Sequence, residues 1–303
     1  MGENVDNKVF TDEEIDALRK KYRNADIIWK TASVFVVLLS AAFVVALFKK
    51  WLSFELMIDA IIALVILLLI FFCVYLLPHF LKMSSKLKEY STAYKAAFLR
   101  PTLEDAFSDG SYKDYDKVST KDLTKISMLK KARSAEANDC VRGNYNGISF
   151  SRYDLALRYG KKKATSTCVM IVADIKTHIR HEVQIVNKDF NIGGMTYEQP
   201  EDFCKILSSN ESFDKKYNIY AKEQDEGKKF ADDRFVNKIA KFKAGGPIAV
   251  FADNDNVYLI VRKKRDAMEA PVYNSVKRKQ AVKEAKEEVD LIKDWMDILK
   301  TCV

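Results

Sequence analysis

The chain has 303 residues, of which 48% are hydrophobic and 30% charged, and a formal net charge of +8, enough for one ordinary domain with an appendage or for two small domains. Its mean hydropathy of -0.19 averages over very unequal stretches. Five cysteines, at Cys73, Cys140, Cys168, Cys204 and Cys302, are scattered without pairs, which excludes a disulfide framework or a CxxC metal clip and points to a reducing compartment.

At the N-terminal end, TDEE at residues 11–14 has the spacing of a capping box, with the Thr11 hydroxyl and the Glu14 carboxylate each serving the other's amide. Phe10 and Ile15 take the two positions of a hydrophobic staple around it. Ile15, Leu18 and Tyr22 then share one side of an amphipathic helix expected from about Asp12 to Asn24. Residues 31–48 and 60–77 follow without a formal charge, each about 18 residues and roughly 27 Å as a helix, close to the ~30 Å of a hydrocarbon core. Trp29, Trp51, Phe54, Tyr75 and Phe80 flank them as interfacial aromatics do. A transmembrane hairpin is therefore expected, with spans at about 31–50 and 58–80, KKWLSFELMID as its outer tip and Asp59 as an interfacial boundary. The charged leader ahead of the first span and the lack of a small-residue cleavage site read as a retained anchor.

Basic residues set the direction. Arg19, Lys20, Lys21, Arg23 and Lys30 precede the first span, and Lys82, Lys86, Lys88, Lys95 and Arg100 follow the second, whereas the tip holds only Lys49 and Lys50. Both termini are expected on the cytoplasmic side of a plasma membrane. Of these basic residues, Arg19, Lys20, Lys21, Arg23, Lys30, Lys82, Lys86 and Lys88 are the candidates for contact with anionic lipid, each gaining on the order of 1 kcal/mol near an anionic leaflet; the alternative is that they are solvated and only set topology.

Beyond the membrane the helix is expected to continue to Leu99, with Pro78 kinking it, then to break at Arg100-Pro101 and resume as a short helix to Phe107. From about Asp139 the texture becomes that of strands. Asn146-Gly147 is a two-residue hairpin signal, 148–159 continues as a strand, GKKKAT turns it, and 168–175 is an apolar strand for the middle of a sheet. A strand at 182–186 completes a meander. PEDFCKILSS and residues 225–243 read as helices, and 248–263 as a hairpin turning at Asp253 to Asn256. A closing helix carries Val282, Ala285, Val289, Ile292, Met296 and Leu299 at three- and four-residue steps and is expected to pack on the sheet. The fold class is α+β: an N-terminal two-helix transmembrane hairpin, then a soluble domain with an antiparallel sheet and helices packed on one face. The expected divisions are a leader at 1–30, the hairpin at 31–81, a juxtamembrane helical segment at 82–138 and the cytoplasmic domain at 139–303. Cys302 is the cysteine expected at the surface.

Three segments carry a resemblance to a known family: YKAAFLRPTLEDAF, DCVRGNYNGISFS and FDKKYNIYAKEQDEGKKFADDRF. The chain resembles, over about four fifths of its length, the bacterial family catalogued as domain of unknown function 3137. The resemblance implies a bacterial membrane protein with two N-terminal membrane helices and a cytoplasmic domain, and no activity. After Gln224 this chain has Gly227-Lys228-Lys229 where that family often has Ala-Arg-Tyr.

No pattern of residues points to catalysis, a cofactor or a metal. His178 and His181 are three apart near a strand end, where they would face opposite ways. Asp253 to Asn256 lacks the later ligands of a calcium loop, and Gly160 to Lys163 lacks the context of a phosphate-binding loop. The basic residues lack the interleaved aromatics of a single-strand nucleic-acid platform, so nucleic acid is not an expected partner. The expected function is a non-catalytic binding or scaffold module at the inner face of the membrane, with the bilayer and a membrane protein as partners. A membrane-tethered enzyme of unidentified class, and an adaptor that binds anionic lipid or nucleic acid through basic patches, are the alternatives.

Overall fold

Helix α1 runs without interruption from Asp12 to Lys49. The computed structural model describes residues 10–49, 62, 65–66, 77–116, 129, 132–159, 164–192, 195–197, 199–263 and 268–302. The expected leader helix and first span are one element because nothing between Asn24 and Thr31 breaks a helix: the linking residues include neither Gly nor Pro. The capping box forms as read. Thr11 N donates to Glu14 Oε2 at 2.9 Å and Glu14 N to Thr11 Oγ1 at 3.2 Å, which satisfies two amides left without helical partners. Ile15, Tyr22 and Ala25 are buried and Leu18 half-buried, the stripe that the three- and four-residue spacing dictates.

Helix α2 (Leu77–Tyr94) packs against α1, and the rings of Trp29 and Phe80 lie 5.8 Å apart. These two helices and the segment Ala270–Arg278 belong to one compact unit, Met1–Ala97 with Ala270–Arg278. The second, Phe98–Glu269 with Lys279–Val303, carries the sheet. Of the expected second span only residues 62, 65–66 and 77–80 are among the described residues; the tip beyond Lys49, with Trp51, Phe54 and Asp59, lies outside them. Tyr75 and the GKKK turn at 160–163 also lie outside them.

At Arg100-Pro101 the chain does not become extended. A π-helical stretch, Lys95–Leu99, leads directly into α3 (Arg100–Glu104) with Pro101 at its start. Proline lacks only an N–H there, and the first turn of a helix does not use one. The sheet also begins earlier than Asp139. Strands β1 (Ser108–Asp116) and β2 (Ala132–Tyr145) are paired antiparallel; their polar sequences, SDGSYKDYD and ARSAEANDCVRGNY, carry no apolar alternation to announce them.

The remaining strands are β3 (Ile148–Tyr159), β4 (Ala164–Asp174), β5 (Val183–Asn187), β6 (Asn191–Ile192), β7 (Met195–Thr196), β8 (Cys204–Ile206), β9 (Tyr217–Ala221), β10 (Ile248–Ala252) and β11 (Asn256–Arg262). Of the eleven strands among the described residues, nine form one sheet in the order β1-β2-β3-β4-β11-β10-β5-β9-β8, and β6 pairs with β7. Asn146 and Gly147 turn β2 into β3 with φ of 54° and 85°, the positive values that a tight hairpin needs. The β10–β11 hairpin forms as read, but it sits between β4 and β5 and so breaks the expected meander. All five residues of β10 are buried; a strand covered on both faces belongs at the centre of a sheet. PEDFCKILSS is not a helix: its middle, CKI, is β8, an edge strand paired with β9. Edge position leaves Cys204 exposed, which adds a second surface candidate to Cys302, whose side chain lies outside the described residues.

Four helices complete this unit after the first strands: α4 (Glu211–Asp214), α5 (Gln224–Phe230), α6 (Asp233–Lys241) and α7 (Arg278–Cys302). One face of the sheet presents Leu155, Met170, Phe251 and Ile260 to a core cluster. The alternate positions, among them Arg152, Val169, Ile171, Val250 and Leu259, are buried on the other face, where α7 meets β3. Trp295 of α7 is fully buried against Phe235 of α6 and Phe242, with ring centroids at 6.3 and 5.9 Å. Gly227 is required by close packing of α5: a methyl there would run into Ile206 Cδ1 and come within 2.9 Å of Ala221 Cβ. The departure at Gly227-Lys228-Lys229 therefore belongs to packing at its first position.

Candidate functional site

Among the described residues one helix is long and apolar enough to cross a membrane, within Asp12–Ala42. Its N-terminal half has a buried stripe, and its C-terminal half exposes Val34, Phe35, Val37 and Leu38, each about 60% accessible. A water-facing helix of a soluble protein would carry polar residues there.

The eight basic candidates for lipid contact fall into two groups. Lys20, Lys21, Lys82 and Lys88 are exposed, and Arg23 and Lys86 half-buried. Arg19 is buried at 4% exposure. Its Nε donates to Asp16 Oδ1 at 2.8 Å, its Nη2 lies 2.7 Å from the same oxygen and its Nη1 donates to the Val272 carbonyl at 3.4 Å. The sequence could not show that Val272, 253 positions away, returns to α1. Lys30 is exposed but engaged, donating to Asp26 Oδ2 at 2.7 Å and also bonding the Tyr273 hydroxyl.

The segment Ala270–Arg278 thus straps the two helices. Tyr90 Oη donates to the Pro271 carbonyl at 2.7 Å, Tyr273 Oη to Asp26 Oδ2 at 2.6 Å, and Arg278 Nη1 to Asp12 Oδ1 at 3.3 Å. Burial disfavours the ionised form of Asp26, but the hydrogen bonds from Lys30 and Tyr273 outweigh it and hold its carboxyl below the usual range.

The sheet unit contains a buried ionic cluster. Arg152 on β3 is fully buried. Nη1 donates to Asp154 Oδ2 at 2.8 Å and the Asp139 carbonyl at 3.0 Å; Nη2 donates to Asp154 Oδ1 at 3.0 Å and Glu288 Oε2 at 2.9 Å. Lys263 adds a bond to Glu288 Oε1 at 3.2 Å. A bulge in β2 after Asn138, with Asp139 at φ 49°, turns that carbonyl toward Arg152. Burial opposes ionisation of Glu288, yet Arg152 and Lys263 hold it below its ordinary range. The nearby Cys168 thiol is pushed up to about 12 by burial and by Asp154, so it is inert. This cluster anchors α7 to the sheet; its carboxylates and the two terminal nitrogens of Arg152 are occupied by one another, whereas Arg152 Nε is buried without a hydrogen bond among the described residues.

A third grouping lies at the surface. His178 and His181 are in the β4–β5 connection and not on a strand; His178 is exposed with φ of 57°. His181 meets the start of α5. Its Nδ1 lies 3.2 Å from Glu226 Oε2 and 3.4 Å from Glu223 Oε1. The backbone amides of Arg180 and His181 each donate to Glu226 at 3.0 Å. Burial raises the Glu226 carboxyl, but these bonds lower it further, to a net position below its ordinary range. Neither glutamate stands out in the sequence, because the partner histidine is about 45 positions away. Beside them is a cavity of about 290 Å³ walled by Arg180, His181, Asp202 and Lys222 among others.

No curated protein matches the chain. The crystal structure of the mycobacterial trehalose monomycolate transport factor A, TtfA, is similar at 14% identity and a TM-score of 0.34, over 61% of this chain and 88% of that one. A likeness this slight bears on neither fold nor function. Of the three segments that carried the family resemblance, only FDKKYNIYAKEQDEGKKFADDRF lies in the part of the chain with a family match, which is shorter than the four fifths expected. Residues 168–301, from within β4 to near the end of α7, match the model of the family described as protein of unknown function, DUF3137.

Proposed function

We propose that this protein is a non-catalytic binding module tethered to the inner face of a bacterial plasma membrane. The observation that carries the reading is α1 itself: one unbroken helix passes from a capped, amphipathic half into a half that, among the described side chains, exposes Val34, Phe35, Val37, Leu38 and Val45. Lipid is the solvent that such a surface requires. The exposed positions Ile62, Val65 and Ile66 are in keeping with a second span returning through the bilayer. The excess of Lys and Arg before residue 31 and after residue 81 favours the cytoplasmic side for both ends.

On this reading Lys21, Arg23, Lys82, Lys86 and Lys88 are the groups available to anionic headgroups; Lys20 is paired with Asp16 at 2.9 Å, and Arg19 and Lys30 hold the strap. Tethering raises the effective concentration of the sheet unit for other membrane proteins, so weak contacts suffice for binding. Protease added outside intact cells tests the sidedness. The sheet unit should survive; its digestion in unbroken cells would refute the arrangement.

A further inference from the structure

We propose that His181, Glu223 and Glu226 form a site for one divalent first-row transition cation, zinc by preference, at the junction of the β4–β5 connection and α5. The inference is independent of the membrane tether.

The geometry is that of a ligand set. A tetrahedral zinc ion bound at about 2.0–2.2 Å by nitrogen and oxygen sets its ligand atoms roughly 3.4 Å apart. Here His181 Nδ1 stands 3.2 and 3.4 Å from the two carboxylate oxygens, and all three atoms lie within 4.8 Å of one another. Glu223, the extended residue just ahead of α5, and Glu226 in its first turn both bring a carboxylate oxygen to His181. Glu226 is further fixed by two backbone amides, the outer-shell bonding typical of ligating carboxylates.

The charge balance points the same way. Two carboxylates converge, and among the described residues neither forms an ion pair with a lysine or arginine; the one basic side chain paired with them is His181. A neutral imidazole turns a lone pair or a single N–H toward them and leaves the negative charge uncompensated. One divalent cation neutralises both groups and accepts the Nδ1 lone pair. Imidazole with carboxylates suits zinc and its neighbours better than magnesium or calcium, which prefer oxygen alone. Three protein ligands leave a position open, and the adjoining cavity gives water or a small anion a way to it.

The test uses the full chain in lipid nanodiscs, treated with a chelator and then titrated with Zn²⁺ or Co²⁺. One equivalent of metal should remain after gel filtration, and the cobalt form should show d–d bands without a thiolate charge-transfer band, since no cysteine is a ligand. Glu223→Gln should weaken binding at least tenfold and leave the metal-free melting curve unchanged, because Glu223 is exposed and its side chain caps nothing. Cys204→Ser should bind as the parent does. Failure to retain an equivalent of metal, unchanged affinity in Glu223→Gln, or a thiolate band would each overturn the proposal. In the first case the cluster is a hydrogen bond between His181 and Glu226 and nothing more.

Discussion

Replacing Arg152 by methionine probes the energetics of the sheet unit most sharply. The substitution keeps much of the side-chain volume and removes the charge. It leaves two carboxylates, on Asp154 and Glu288, whose side chains are only 6% and 8% exposed, with Lys263 on Glu288 as the remaining cation. Removing one partner of a buried ion pair costs about 3–5 kcal/mol. In a unit of about 200 residues each kcal/mol lowers the melting temperature by roughly 2–4 °C, so the transition should fall by roughly 6–20 °C. Differential scanning fluorimetry of the full chain in nanodiscs reads this directly. The same reasoning makes a second demand. Converting Arg152, Asp154 and Glu288 together to Met, Leu and Met should recover much of the loss, because the two carboxylates that Arg152 neutralised leave with it, and Lys263, 21% exposed, keeps access to water. A fall below about 2 °C for Arg152→Met, or a triple variant no better than the single one, would refute the assignment of these groups as a mutually dependent cluster.

Other consequences are equally accessible. Because the folded-state pKa of Glu288 lies below its ordinary value of 4.5, its stabilisation is complete above pH 4.5 and is lost as the pH falls through the folded value; Glu288→Gln should flatten the acid limb of a melting-temperature profile. Gly227→Ala should destabilise by about 1–3 kcal/mol through overpacking against Ile206 and Ala221, visible in a urea titration. Thr11→Ala removes one half of the capping box and should cost about 1 kcal/mol locally, seen as faster amide hydrogen exchange in the first turn of α1. Tyr273→Phe removes the hydroxyl from Asp26 and Lys30 and should speed exchange across Ala270–Arg278 while leaving the sheet unit's melting unchanged.

What the sequence made legible were features governed by neighbours along the chain. The Thr11–Glu14 box, the stripe of Ile15, Leu18 and Tyr22, the Asn146-Gly147 turn and the α7 repeat all follow from spacings of two to four residues, and all form. What stayed hidden depends on partners far apart in sequence. CKI at 204–206 reads as part of a helix because a three-residue edge strand has too short a pattern to register, and its pairing with β9 overrides local preference. The β10–β11 hairpin was visible, but its insertion between β4 and β5 was not, since order in a sheet is set by which strands need cover on both faces. Separation in sequence likewise hides His181 from Glu226, 45 positions away, and Arg19 from Val272, 253 away. Arg19 shows the limit clearly: a basic residue beside a span reads as a lipid ligand until a strap from the far end of the chain buries it.

The tether is tested most directly by washing membranes from cells that produce the full chain with alkaline carbonate and sedimenting them. Peripheral proteins held by charge are released, whereas an apolar helix solvated by lipid is not. The account predicts that the chain remains in the pellet; its recovery in the supernatant would contradict the reading of α1 as a membrane-spanning helix.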